Sequence, residues 1–404
     1  MQTSLADFVR DTDEGREADA ILRKCVHCGF CTATCPTYQV LGDDLDSPRG
    51  RIYLIKRALE GAEVTDKTRL HLDRCLTCRA CETTCPSGVR YGRLVDIGRA
   101  VVEKRTSRSP LDALLRAGLS FVLPRRKLFG ASLALGRLFS PLLPRRWAGK
   151  IPPAGASSGI WPAPRHARKM LVLAGCVQPS LAPRINAAAA RVLDRHGISL
   201  IEARGAGCCG ALRFHLNRQD AGRNDMRALI DTWWPLVERG EVEAIVMTAS
   251  GCGATVREYG ELLAHDPGYR DKAARISALT RDLAEIVPAQ ASPGARRAKV
   301  AFQAPCTLQH GQRIRGVVER LLEAAGYEVQ PVRDSHLCCG SAGTYSILQA
   351  ELSGELRSRK LASLQEGGPD LIATANIGCL SHLQAGSSIP VRHWVELLDD
   401  APAP

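Results

Sequence analysis

Two cysteine patterns predict an α+β chain of several domains: a helical unit at the N-terminus and, beyond a linker, a duplicated α/β unit with a pseudo-twofold. The 16 cysteines fall into two sets. One set lies before residue 90 in a tight spacing that occurs twice. The other runs from Cys176 to Cys379, and each half of it reads Cys, then Cys-Cys-Gly, then Gly-Cys. A chain of 404 residues is too long for one average domain. The boundaries expected are 1–104 for the helical unit, 105–168 for a basic, apolar helical segment and linker, and 169–290 and 291–404 for the two repeats.

The first unit contains CVHCGFCTATCP and CLTCRACETTCP, both of the form Cys-x2-Cys-x2-Cys-x3-Cys-Pro. This is the bacterial ferredoxin spacing for 4Fe–4S clusters. Three thiolates in a tight loop cap three iron corners of one cube. The fourth points away, turned by the proline, and ligates the other cube. Cluster one is expected on Cys25, Cys28, Cys31 and Cys85, and cluster two on Cys75, Cys78, Cys81 and Cys35. Gly29 lets the first loop approach its cluster closely. Zinc ribbons use CxxC pairs and need neither the third cysteine nor the proline. Between the motifs, SPRGRIYLIKRALEG reads as a helix with Ser47 as N-cap and Pro48 in its first turn, and HLDRC ends the next helix. An α-helical ferredoxin-like domain is therefore expected.

In the middle segment, two short apolar helices alternate with Pro-Arg-Arg breaks, and a Pro-, Gly- and Ser-rich stretch reads as linker. The helices either pack between domains or offer a basic, apolar surface to a membrane or partner.

In the second unit the step from Cys176 to Cys208 equals that from Cys306 to Cys338, 32 residues, which marks an internal duplication. KMLVLAGC, EAIVMTASGC, KVAFQAPC and DLIATANIGC each run through a short β-type stretch to a cysteine. ISLIEARGAGCCG and YEVQPVRDSHLCCG do so with a few more residues between. Helical patterns follow, so βαβ units and a mostly parallel sheet are expected in each repeat. All eight cysteines (Cys176, Cys208, Cys209, Cys252, Cys306, Cys338, Cys339 and Cys379) should then gather at the carboxyl ends of the strands, across the pseudo-twofold. A vicinal pair suits two neighbouring irons of an open cluster. A third iron–sulfur centre, a zinc site, and small buried or redox-active thiols all fit the pattern. Cys379-x-x-His382 faces Cys252-x-x-Thr255 in the other repeat, so a single site would fall in the second: Cys306, Cys338, Cys339, Cys379 and His382. His215, His310 and His336 read as structural.

Several classes are disfavoured. The N-terminus has no signal-peptide core, and no apolar run reaches membrane-spanning length. Clustered thiols in a reducing compartment bind metal or do redox work, so a cytoplasmic protein is expected, resting on the inner face of the membrane. A net charge of +12 favours acidic partners, but no stacking platform or recognition motif points to nucleic acid. No G-x-G-x-x-G, P-loop or G-x-S-x-G accompanies the cysteines. Such a chain passes electrons between other components.

CVHCGFCTATCPTYQVLGDDLDSPRGRIYLIK, HLDRCLTCRACETTCPSGVRYGRLVDIGR, TASGCGATVREYG, DSHLCCGSAGTYS and TANIGCLSHL resemble the iron–sulfur subunits of bacterial glycolate oxidase, also called glycolate dehydrogenase, over roughly 18–105 and 168–397. The wider group includes subunits of lactate and glycerol-3-phosphate oxidation systems and heterodisulfide reductase. In the last of these each repeat ends in Cys-x-x-Cys, which Thr255 and His382 replace here. The resemblance implies a chain without catalytic residues of its own, in a complex with two flavin-type subunits. FAD in a partner would oxidise glycolate to glyoxylate, and electrons would cross this chain to a quinone. Lactate or glycerol 3-phosphate as the partner's substrate, and a thiol–disulfide reductase centred on the Cys-Cys-Gly motifs, are the alternatives.

Overall fold

The computed structural model describes residues 1–142, 157–289 and 298–399. The expected boundary at 290/291, and the part of the expected linker from 143 to 156, lie outside the described residues.

The N-terminal unit is helical. Helices Asp13–Lys24, Pro48–Leu59, Asp66–Asp73 and Tyr91–Arg105 enclose a core of Leu22, Ile55, Leu59, Leu72, Leu94 and Val95. Their ends follow from the sequence. Ser47 Oγ accepts from Gly50 N at 3.0 Å, which satisfies one orphan donor, and Pro48 fills the position where an N–H would be idle. Thr12 and Thr65 cap their helices in the same way. Gly98 lets the last helix cross against Ile55, whose side-chain carbons lie 2.5 Å from where a Cβ would stand. The two cysteine loops emerge between these helices.

The C-terminal region holds two four-stranded, wholly parallel sheets. The first has the order β2-β1-β3-β4: β1 Arg168–Val172, β2 Ile198–Glu202, β3 Ile245–Met247 and β4 Thr280–Asp282. The second repeats it as β6-β5-β7-β8: β5 Lys299–Gln303, β6 Glu328–Gln330, β7 Leu371–Thr374 and β8 Val391–His393. The central strands are apolar and buried, as strands covered on both faces must be. One core joins the repeats: Val172, Val246 and Leu193 pack with Val300, Phe302, Ala373 and Trp394.

Each cysteine follows the carboxyl end of a strand, because a parallel sheet puts all of its strand-to-helix loops on one edge. The eight do not form one group. They close into two sets of four, one per sheet, because each sheet has its own carboxyl edge.

Two helices joined by a short turn follow, Pro110–Val122 held to Asp73 by Arg116 and to Arg213 through the Ser120 carbonyl, and Arg126–Phe139 packed on the first repeat. The described residues contain no helix long and apolar enough to cross a membrane.

Candidate metal centres

The two N-terminal loops share a backbone. His27 and Thr77, each just before the second cysteine of its motif, sit at φ 57° and 53°. Gly29 and Arg79, just after it, sit at φ 84° and 61°. These left-handed residues curl the chain so that cysteines three apart converge. Glycine adopts this conformation freely, whereas Arg79 does so at a cost of about 1–2 kcal/mol.

Cys25, Cys28, Cys31 and Cys85 line one cavity with Pro48, Ile52 and Val89. Burial, then the neighbouring Cys25, Cys85 and Cys28, push the Cys31 thiol up to about 11. In the other loop burial and the company of Cys78, Cys75 and Cys35 push Cys81 well up. Tyr91 Oη and the Thr77 amide donate to Cys75 Sγ at 3.5 and 3.4 Å. The structure thus brings together 25, 28, 31 with 85, and 75, 78, 81 with 35. The two sets adjoin, since Cys81 also borders the first cavity.

In the first repeat Cys176, Cys208, Cys209 and Cys252 are mutual neighbours. Contacts with Cys208 and Cys252, then burial, push Cys209 well up, while Cys208 moves down because Cys176 and Cys209 donate to it. In the second repeat Cys306 Sγ lies 3.8 Å from Cys338 Sγ, and that contact together with burial pushes Cys306 well up. Cys339 and Cys379 complete this set. Cys252 and Cys379 stand in the first turns of helices Ser250–Arg257 and Ile377–Gln384. Asn376 links them: its Oδ1 accepts from Gly251 N at 3.2 Å and its Nδ2 donates to Cys379 Sγ at 3.6 Å.

The N-terminal unit docks differently on each repeat. On the second, Cys78 lies beside Cys306 and Cys338. Leu76 packs with Cys338 and Tyr345, and Tyr345 Oη donates to Arg74 O at 3.1 Å. On the first, charge does the work: Arg79 pairs with Glu258, Arg90 with Glu261, and His215 with Asp96 at 3.4 Å.

The histidines read as structural occupy such seams. His310 joins Thr83 Oγ1 at 3.0 Å and His336 O at 2.9 Å, bridging a cysteine loop to the second repeat. His382 sits behind its cysteines, with Nε2 at 3.3 Å from Ser353 Oγ. Burial, then Arg357, lower its imidazole to about 4.

Sequence reasoning missed Arg51. Wholly buried, it donates to Thr37 Oγ1 at 3.1 Å, Asp46 Oδ1 at 3.2 Å and the His71 carbonyl at 2.7 Å. Although burial opposes its charge, Cys75, Tyr91, Cys35 and Asp46 hold the guanidinium protonated. It is a fixed cation beside the second set of thiols. An arginine amid polar neighbours in SPRGRIYLIKR gave no sign of facing inward.

These donors fit iron–sulfur clusters. They are soft, mostly buried and all free of disulfides. The raised proton affinities of Cys31, Cys78, Cys81, Cys306, Cys338 and Cys339 reflect how costly a bare thiolate is at these positions without a cation.

Comparison with known proteins agrees. Residues 21–89 match the family described as 4Fe-4S dicluster domain, and residues 170–257 and 300–384 each match the cysteine-rich domain. The chain is 52% identical to the glycolate oxidase iron-sulfur subunit of Escherichia coli (strain K12), over 99% of both chains. It is 28% identical to the probable glycolate oxidase iron-sulfur subunit of Bacillus subtilis (strain 168), over 94% of this chain and 91% of that one. Lactate utilization protein A of Shouchella clausii is 24% identical over 55% of this chain and 95% of its own length. With its dicluster domain, its duplicated cysteine-rich domain and a relative more than half identical from end to end, the chain belongs to the family of glycolate oxidase iron–sulfur subunits.

Proposed function

We propose that this chain relays electrons within a glycolate-oxidising complex, between two flavin-type partner subunits and a quinone at the inner face of the cytoplasmic membrane. FAD in a partner converts glycolate to glyoxylate, and this chain supplies no catalytic residue. Cys25, Cys28, Cys31 and Cys85 hold one 4Fe–4S cluster, and Cys75, Cys78, Cys81 and Cys35 hold another. Cys306, Cys338, Cys339 and Cys379 hold a third iron–sulfur centre. Bound there, the clusters supply one-electron transfer without proton uptake by the chain.

The carrying observation is the adjacency of three thiol sets. Cys81 borders the first cavity, and Cys78 lies against Cys306 and Cys338. Side chains of the protein wall these centres. Leu76, Tyr345 and Leu356 exclude water around Cys338, Pro48 and Ile52 wall the first cavity, and Arg51 compensates negative charge at the second set. His382, which meets Ser353 Oγ at 3.3 Å and the Cys339 backbone, is left out of the ligand set.

The test is iron and acid-labile sulfide per chain on protein purified without oxygen, with an EPR spectrum of the reduced sample. About twelve irons are expected, four for each cubane-sized centre. About eight would remove the third centre and leave the second repeat structural or zinc-bound. Glycolate-dependent reduction of a quinone analogue by the chain with its partners is expected as well. Activity with lactate or glycerol 3-phosphate in its place would reassign the substrate.

A further inference from the structure

The segment of helices Pro110–Val122 and Arg126–Phe139 has apolar side chains that no other described residue covers. Its inner face is well held. The buried Arg116 pairs with Asp73 at 3.1 Å, Ser120 O accepts from Arg213 at 3.1 Å, and Leu133 is buried. Arg126 reaches Glu202 at 2.8 Å, and a Cβ on Gly130 would stand 3.1 Å from Ser180 Oγ. The exposed side carries Leu111, Leu114 and Phe121 on the first helix, and Leu135 and Leu138 on the second with Leu142 in the turn after it, at 56–80% exposure. Leu111 and Leu114 repeat the three-residue step of Leu135 and Leu138, so each of the two successive helices carries an exposed apolar stripe. A patch of this kind marks an interaction surface.

Its chemistry favours lipid over protein. From Ala113 to Leu193 the sequence has no Asp or Glu. Apart from arginine and lysine, the only polar side chains from Ala113 to Phe139 are Ser120 and Ser132, and Ser120 is buried. A protein interface carries roughly one hydrogen bond per 100–200 Å², and here the exposed side-chain donors are confined to Ser132 and the cations at the turn. Cations gather at the turn between the helices: Lys127 is exposed, and Arg125 lies 3.9 Å from the centroid of the Phe121 ring. With 13 and 14 residues the helices are about 20 Å long, too short to cross a hydrocarbon layer of about 30 Å. Amphipathic helices with this composition lie in the headgroup plane, apolar side down and cations among anionic phosphates.

We infer that this segment seats the protein on a bilayer of anionic lipid, with the Leu and Phe stripes immersed and Arg125 and Lys127 at the headgroups. The inference rests on the membrane-side reading above and gives it a surface.

The experiment is flotation of the full chain with vesicles of phosphatidylcholine, with and without phosphatidylglycerol. The chain is expected to float with the anionic vesicles and to be released by salt. Leu114→Glu and Leu138→Glu should each weaken this partition about tenfold or more, at unchanged iron content and circular dichroism. Arg125→Glu with Lys127→Glu should abolish the preference for the anionic vesicles. A wild-type chain left at the bottom of the gradient overturns the inference, as do leucine variants that float like wild type. Variants that float normally but no longer co-purify with partner subunits would make the face a subunit interface. A chain that does not float yet still reduces a water-soluble quinone analogue would sink the docking and leave the relay standing.

Discussion

The two cysteine-rich repeats have the same strand order and the same four thiols, yet they face different neighbours. The second repeat meets the N-terminal unit through sulfur and apolar contact, with Cys78 against Cys306 and Cys338 and Leu76 in the same small core. The first meets it through ions, Arg79 with Glu258 and Arg90 with Glu261. Where the first repeat has Glu258, six residues beyond Cys252, the second has Ala385 at the same step from Cys379. The duplication supplied two equivalent thiol pockets, and docking of a third unit set one against the thiols of the N-terminal unit and the other against its charges. Inequivalence therefore comes from the partner surface rather than from the repeats' own fold.

The largest test of that division compares thiols. Cys338→Ser is expected to abolish electron transfer from the flavin partners to a quinone analogue while leaving the EPR signals of the two N-terminal clusters. Cys208→Ser, the equivalent change in the first repeat, should leave most of the transfer intact. Equal losses from both variants would put the first repeat on the path too and erase the distinction.

A second test uses one position that the repeats fill with opposite chemistry. The fourth strands end in Asp282 and His393. Each side chain caps the helix that follows, Asp282 Oδ1 accepting from Ala284 N at 3.0 Å and His393 Nδ1 from Val395 N at 3.3 Å. Each backbone N–H donates in turn to a glutamate three residues on. Burial raises Asp282 to about 6 and lowers His393 to about 4. Asp282 binds its proton more tightly when folded, so its contribution is full below about pH 4 and lost as pH rises through 6. His393 resists protonation when folded, so its contribution is full above about pH 6.5 and lost as pH falls through 4. Each effect is worth up to about 3 kcal/mol, and in the wild type they oppose each other. Asp282→Asn keeps the cap and should leave a stability that climbs between about pH 4 and 6.5. His393→Asn should leave one that declines. Unfolding midpoints against pH decide; parallel profiles for the two variants would refute the opposition.

What the sequence made legible was what is local or periodic. The ferredoxin spacing, the Ser47 cap, the six strands that run into cysteines and the duplication all stand in the structure. β4 and β8 escaped notice because each is three residues long and contains polar groups, and neither runs into a cysteine. The division of eight cysteines into two sets escaped because spacing shows which loops share an edge but not how two sheets sit side by side. Arg51 and the Cys78–Cys306 contact escaped for one reason: both depend on residues brought together only by tertiary docking.

The smallest test concerns the charged contact. Arg79 holds a left-handed φ of 61° where the first loop has Gly29, and its Nη2 donates to Glu258 Oε2 at 2.8 Å in a half-buried seam. Glu258→Gln removes the charge pair and keeps the shape, so it should destabilise by about 1–2 kcal/mol. Arg79→Gly removes the same pair but also relieves backbone strain of similar size. Its net cost should therefore be smaller than that of Glu258→Gln, within about 1 kcal/mol of wild type. Chemical denaturation of the full chain measures both. If the glycine variant proves the more damaged, Arg79 contributes through contacts other than Glu258, and the seam on the first repeat is more than an ionic mooring. If the order holds, the second loop accepts a strained arginine so that one repeat can be gripped by charge, which leaves the other free to meet the thiols.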